Sequence, residues 1–468
     1  MRRSVITLFL IAIVVTAARL CHSNVLWADD NLPLAAAIQV ARGKVLYRDV
    51  WFDKPALVAW INLLWGARAG VVLRLAGAAY VISIAAVAWQ FARSKWSEQE
   101  GLFAAVFAAF FLTFGLPSAV IPLASDMLLV LPHLVAVYFA WRGRAFLSGV
   151  AAGIGLLCSS KAVFVLAACA MWQWRQIPML LAGFVAPNAL ALGWMWLHGS
   201  AAEYYRQAWQ WGRIYAANTF VEHPFTEGVT RTANWIGFQA ALVVGAIAAL
   251  RRERRIAIWI AISFVGVILG LRFFPRYYFL LLPPMIIAAS RGWSLLMTTP
   301  RVSAGIKRFA VLALGALLAV PFIRFGKPYI TLARGGTMTD LSMDRDSRAA
   351  AQKLRDFSHP GETLFVWGFR PDIFIDSQLP AGTRFLESQP ISGVLADRHL
   401  FSSAPIAPDF IAPNVRELVN TKPTWIVDGL GLYNPSLALQ RQPALAEWFS
   451  LYTEVARTDF SILYRLRP

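Results

Sequence analysis

Asp29 and Asp30 stand side by side in WADDN, and Arg48, Asp49, Asp53 and Lys54 crowd into YRDVWFDKPA, residues 47–56. Further along come Asp126 in ASDMLL, Lys161 in CSSKAVF, and Arg272, Arg276 and Tyr277 in RFFPRYYFLLLPP. A carboxylate is suited to accept a proton from an attacking hydroxyl. Lysine and arginine suit a phosphate, which they hold through charge-assisted hydrogen bonds. Together these residue types fit transfer of a group away from a phosphate. Each also has a plainer reading. Asp30 or Asp126 caps a helix, Lys161 or Arg276 snorkels from a span, and Tyr277 anchors one. Arg48 pairs with Asp49 to fix the loop, and Asp53 orients Lys54 or contributes to a cation site.

What makes these charges informative is the chain around them. The 468 residues are 58% hydrophobic and 15% charged, against about 25% charged in soluble domains. There are about eleven apolar runs that read as membrane spans: 4–27, 70–92, 100–115, 121–141, 145–158, 161–174, 177–197, 233–250, 256–271, 276–291 and 306–324. The first resembles a secretory signal in its opening residues, but no A-x-A site precedes the acidic pair, so it reads as an uncleaved helix with Arg19 near its outer end.

The net charge of +18 is confined to the membrane half. Residues 1–327 hold 30 basic and 11 acidic side chains, whereas 328–468 hold 14 and 15. Arg93, Lys95, Arg142, Arg144, Arg175, Arg251, Arg252, Arg254, Arg255, Arg291 and Arg301 fall between spans on one side, with only Glu98, Glu100 and Glu253 as acids. The positive-inside rule then puts the amino terminus in the cytoplasm and the polar tail outside, and the excess charge implies no nucleic acid. On this topology the candidate residues all lie at the outer ends of spans, which fits one polar cavity opening outward.

Residues 27–68 form the first outer loop. DDNLPLAAAIQVARG reads as a helix capped by Asp30 or Asn31 and ended by Gly43, lying along the membrane surface. A second outer loop carries EYYRQAWQWGRIYAANTF, whose aromatics suit the headgroup interface. The tail alternates helical stretches with the strand-like TLFVWG, TWIVDG and TDFSILYRL, which predicts a small α/β domain over 328–468. Cys21, Cys158 and Cys169 sit in or beside apolar runs and imply no disulfide framework. The six histidines form no ligand-spaced cluster, so no metal or cofactor is expected; a divalent cation is not supported by the sequence.

The acidic pair, the following helix and GKVLYRDVWFDKPALVAW resemble the first outer loop of the GT-C glycosyltransferases related to protein O-mannosyltransferases and lipid A aminoarabinose transferases (the glycosyltransferase 39/83-like group). LASDMLLVLP, GVAAGIGLLCSSKAVFVL and FFPRYYFLLLPP follow in the family's order. Asp30 stands where the family often has Glu, and Ala56 where it often has a second Pro; both departures leave the subfamily open. The resemblance implies a GT-C domain over 1–327, mainly helical, with an extracytoplasmic domain after it. It implies a polyprenyl-phosphate-linked sugar donor and transfer with inversion at the outer face of a bacterial inner membrane, to a lipid, glycan or protein acceptor. By position Asp29 is the base and Asp30 its neighbour in the catalytic site. Lys54, Lys161, Arg276, Tyr277 and Arg272 face the donor phosphate and lipid; Asp126, Asp53, Tyr47 and Arg48 are candidate sugar or acceptor contacts. A transporter or lipid flippase with an outward polar cavity is the competing reading, disfavoured by the bias of the charges to one side.

Overall fold

The computed structural model describes residues 2–116, 121–218, 221–298, 303–336, 338 and 341–468. Arg301 and the last two residues of EYYRQAWQWGRIYAANTF lie outside the described residues. The chain divides into two compact units: Met1–Asn24, Gly70–Leu192 and Val221–Met338 form the first, and Val25–Ala69, Gly193–Phe220 and Thr339–Pro468 form the second.

The first unit is helical. Among the described residues three helices are long and apolar enough to cross a membrane, Val71–Lys95, Trp174–Leu197 and Ala304–Ala333. A fourth span results if Pro224–Phe238 and Ala240–Leu250, bent by 88°, cross together. The other runs are shorter apolar helices, among them Ser125–Trp141, Ala145–Leu156 and Ala162–Trp172. The eleven spans expected from hydropathy are thus not matched by eleven full-length helices. At 1.5 Å per residue, helices of this length rise only about 15–25 Å. Leu312 and Ile323 are 73% and 72% exposed on Ala304–Ala333, an apolar exterior that suits lipid rather than water.

Several polar groups inside this unit are paired. Arg291 meets Glu100 at 2.6 Å, and Trp259 donates to His133 Nε2 at 2.8 Å. Helices Ala240–Leu250 and Leu282–Thr298 touch backbone to backbone, since a Cβ on Gly292 would lie 1.7 Å from the Gly245 carbonyl. Only glycine permits that approach.

The second unit holds a four-stranded sheet of β1 (Leu364–Trp367), β2 (Trp425–Asp428), β3 (Tyr452–Arg457) and β4 (Ile462–Leu466), in the order β1-β2-β4-β3. β1 and β2 are parallel, and the other pairings are antiparallel. Helices Ser342–Phe357 and Pro408–Val419 occupy the connections before β1 and β2. The strand-like runs of the sequence became β1, β2 and β4. β3 was not legible because Thr453, Glu454 and Val455 are all exposed, so this edge strand lacks the apolar alternation of a half-buried one.

The core of this unit draws on all three of its stretches. Trp51 and Trp211 are 3% and 1% exposed among Phe365, Trp367, Phe385 and Ile426. The aromatics of the second outer loop therefore divide: Trp211 and Tyr204 are buried in the unit, and Tyr205 is exposed. Interfacial anchoring does not describe the first two. Helix Ala28–Ala41 likewise differs from the amphipathic surface helix expected. Residues 30–39 are all buried, and the helix packs on Asp372–Ser377.

Candidate active site

In the second unit the acidic pair opens helix Ala28–Ala41. Trp27, not Asp30 or Asn31, takes the cap position in extended conformation, and both acids fall in the first turn. Carboxylates there are favoured by the helix dipole. Asp30 is 3% exposed and Asp29 only partly buried, so Asp29 is the more accessible of the two.

YRDVWFDKPA is a tightly bonded loop. Tyr47 is fully buried with φ +69°, and its hydroxyl donates to the Lys54 carbonyl at 2.7 Å. That burial removes Tyr47 from direct contact with a sugar. Arg48 grips Asp49 through two bonds of 2.9 and 2.8 Å and donates to the His198 carbonyl at 3.1 Å. Asp49 in turn accepts from Val45 N–H at 2.8 Å. Arg48 and Asp49 thus brace the loop. Lys54 Nζ lies 3.4 Å from Asp53.

Three acids that the sequence reading did not single out stand in this unit. Glu387 is buried, and desolvation, reinforced by the nearby Asp53 charge, holds its carboxyl well above the usual range. Burial likewise pushes Asp372 up to about 6, and burial together with the Asp372 charge pushes Asp376 up to about 7. Asn31 Nδ2 donates to Asp372 at 3.5 Å. Asp372 and Asp376 lie in VWGFRPDIFIDSQLPAGTRF, a stretch that resembles bacterial family members, but the chemistry of all three acids follows from what surrounds them. A recess of about 370 Å³ beside Asp376 is lined also by Ile38, Arg42, Arg68 and Gln378.

In the first unit a second cluster assembles from three separated helix ends. Asp126, in the first turn of Ser125–Leu128, accepts from Lys161 Nζ at 2.8 Å, and Arg276 Nε stands 3.9 Å from its other oxygen. Lys161 Nζ also lies 3.2 Å from the centre of the Tyr277 ring, a cation–π contact. Four residues predicted to share a site therefore meet here. Arg272 is 2% exposed, and its carbonyl accepts from Arg231 at 3.0 Å. On either side Leu271 and Phe273 hold left-handed φ values of +53° and +48°. Such strain persists where surrounding structure over-determines it, commonly at functional sites. Nearby, Trp235, Phe238, Phe273, Tyr278 and Phe325 line a mainly apolar cavity of about 280 Å³ with Arg231 at its edge. Among the described residues no group of three His, Cys, Asp or Glu is arranged to hold a metal ion.

Neither a family model nor a curated protein matches the chain. Solved structures do. ArnT from Cupriavidus metallidurans bound to undecaprenyl phosphate matches with a TM-score of 0.61 at 14% identity, covering 98% of this chain and 97% of that one. The chain shares the fold of that structure. The apo oligosaccharyltransferase of Archaeoglobus fulgidus matches with a TM-score of 0.53 at 12% identity, covering 96% of this chain and 73% of that chain. AglB from the same organism, in complex with an inhibitory peptide and a dolichol-phosphate, gives 0.51 at 10% identity, covering 98% and 74%. The shared fold takes in both the mainly helical first unit and the tail.

The raised carboxyls of this chain make its stability depend on pH. Asp376 titrates near pH 4 when unfolded and near 7 when folded. Its favourable state is fully present below about pH 4 and is lost as pH rises through about 7. Asp376→Asn should therefore raise the melting temperature most above pH 7, by up to a few kcal/mol of stability, and leave it unchanged near pH 4. A melting series of both proteins across that range checks this.

Proposed function

We propose that the chain is an inverting glycosyltransferase that moves a hexosyl or pentosyl group from a polyprenyl-phosphate donor to a lipid, glycan or protein acceptor. The reaction takes place at the outer face of a bacterial inner membrane, with the amino terminus cytoplasmic and residues 328–468 extracytoplasmic. The observation that carries this reading is the gathering of Lys161, Arg276 and Tyr277 around Asp126. It lies in a fold whose solved examples include complexes with undecaprenyl phosphate and a dolichol-phosphate.

Two cations and one carboxylate leave a net single positive charge, which matches the monoanionic phosphodiester of a lipid-linked sugar. As the sugar departs, the phosphate gains a second negative charge, and these cations stabilise that change more than they stabilise the ground state. Lys54 is assigned to the donor phosphate by the family resemblance. The aromatic-lined cavity of about 280 Å³ suits part of an isoprenoid chain.

Asp29 acts as the base. It takes the acceptor hydroxyl's proton while that oxygen bonds to the anomeric carbon and the bond to phosphate oxygen breaks, a single displacement that inverts configuration. Asp30, buried beside it, holds the first turn and its charge in place. Asp126 and Asp53 keep the cations at fixed spacing. No step requires a metal, so activity should survive chelation; loss restored by one divalent ion would contradict this.

The purified protein, given a panel of polyprenyl-phosphate sugars, should release lipid phosphate detectable by mass spectrometry. Asp29→Asn should lower turnover by at least about 100-fold with donor binding retained, in line with removing a general base. Wild-type turnover in that variant would refute the assignment. Lys161→Ala should weaken donor binding about ten-fold or more, and unchanged affinity would return Lys161 to a snorkelling role. Lipid movement across vesicles without release of lipid phosphate would favour the flippase reading.

A further inference from the structure

Tyr47 is the most heavily constrained residue of YRDVWFDKPA, and the constraint comes from far away in sequence. Its carbonyl accepts two hydrogen bonds, from Gln207 Nε2 at 2.8 Å and from Arg384 Nη2 at 3.0 Å. Both donors are held by one atom: Glu203 Oε2 accepts from Arg384 Nη2 at 2.6 Å and from Gln207 Nε2 at 2.8 Å. The other end of the Gln207 amide accepts from Phe52 N–H at 2.9 Å, and the Arg384 carbonyl accepts from Trp51 N–H at 2.7 Å.

These groups lie in the interior of the second unit. Gln207 and Tyr47 are fully buried, and the Arg384 side chain is 11% exposed. Gln207 sits in the π-helical turn Tyr205–Gln210, a form frequent at functional sites. A left-handed φ costs a non-glycine residue about 1 kcal/mol or more. At Tyr47 the two bonds to its carbonyl and the packing of its ring on Tyr204, 4.9 Å between centroids, hold that conformation. In that conformation the Tyr47 hydroxyl reaches the carbonyl of Lys54.

We infer that Glu203, Gln207 and Arg384 are positioning residues for Lys54, acting through Tyr47, and that the carboxy-terminal segment thereby sets the geometry of the first outer loop. The inference rests on the reading that Lys54 serves the donor phosphate. It gives the tail a role within the reaction: Arg384 belongs to the tail, and Glu203 and Gln207 to the second outer loop. A covalently continuous loop fixed at both its turn and its Lys-Pro end presents the ammonium group with little freedom to lose on binding.

The test uses the full-length protein in detergent and undecaprenyl phosphate as the probe. Affinity is measured for wild type, Lys54→Ala, Tyr47→Phe and Gln207→Ala, and for each of the last two combined with Lys54→Ala. Tyr47→Phe removes one hydroxyl and keeps the ring, so it remains informative if Gln207→Ala fails to fold; melting curves identify that case. Lys54→Ala should weaken binding about ten-fold or more, and each positioning variant about three- to ten-fold. In the Lys54→Ala background neither positioning change should weaken binding further, because the group they position is gone. Additive losses, or full affinity in Tyr47→Phe, overturn the positioning inference and leave the role of Lys54 intact. Unchanged affinity in Lys54→Ala instead overturns the donor-phosphate reading on which it rests.

Discussion

Burial of Trp51 in the core around β1 and β2 is the interaction on which the second unit depends. It anchors the loop 47–54 through one side chain in an apolar interior shared with Trp211 and with Phe365, Trp367 and Ile426 of the tail. Aromatic side chains dominate such cores because each removes a large area from water. Once that core forms, the polar groups beside it must be satisfied, since an unpaired buried donor costs about 1–3 kcal/mol. The two terminal nitrogens of Arg384 meet that requirement with bonds to Glu203, Glu417 and the Tyr47 carbonyl, while its guanidinium lies 5.6 Å from the Trp51 ring and its Nε stays unpaired. Apolar burial brings the stretches together, and hydrogen bonding then fixes their geometry.

The first unit solves a related problem in an apolar setting. Charged groups among apolar helices are costly unless paired, and here the pairs are specific: Arg291 with Glu100, and Lys161 with Asp126. The first has a plain structural role at the start of helix Glu98–Phe111. The second differs because further groups, Arg276 and Tyr277, converge on it from the strained segment after Leu271. An ion pair that only neutralised charge would need neither. This excess of cationic groups over carboxylate is what makes the cluster a phosphate site in the proposed chemistry.

Much of this was legible in order along the chain. The apolar runs became helices, and the strand-like runs became β1, β2 and β4. Lys161, Asp126, Arg276 and Tyr277 drew attention because an ionisable or amphipathic side chain stands out at the end of an apolar run. The local pairing of Arg48 with Asp49 was readable from adjacency. Less was visible in length and register. Hydropathy counts apolar stretches but not where a helix breaks, so full-length spans proved fewer than apolar runs. Helix Ala28–Ala41 read as amphipathic because Gln39 and Arg42 look solvent-facing in one dimension. In the fold Gln39 is buried and its Oε1 accepts from Ala381 N–H.

By itself the sequence determined which segments are helical and apolar, where charge interrupts them, and which side chains have the chemistry for proton and phosphate work. Those properties are local, set by side-chain type and periodicity. Tertiary structure alone decided that residues 25–69 and 193–220 share a unit with the tail, that Asp29 is more accessible than Asp30, and that Glu387 stands near Asp53 and Lys54. It also decided the bond between Tyr47 and Arg384, 337 positions apart. Such contacts exist only once chain closure and core formation have brought distant groups together, and burial then changes the groups themselves, as the raised Asp376 and Glu387 carboxyls show.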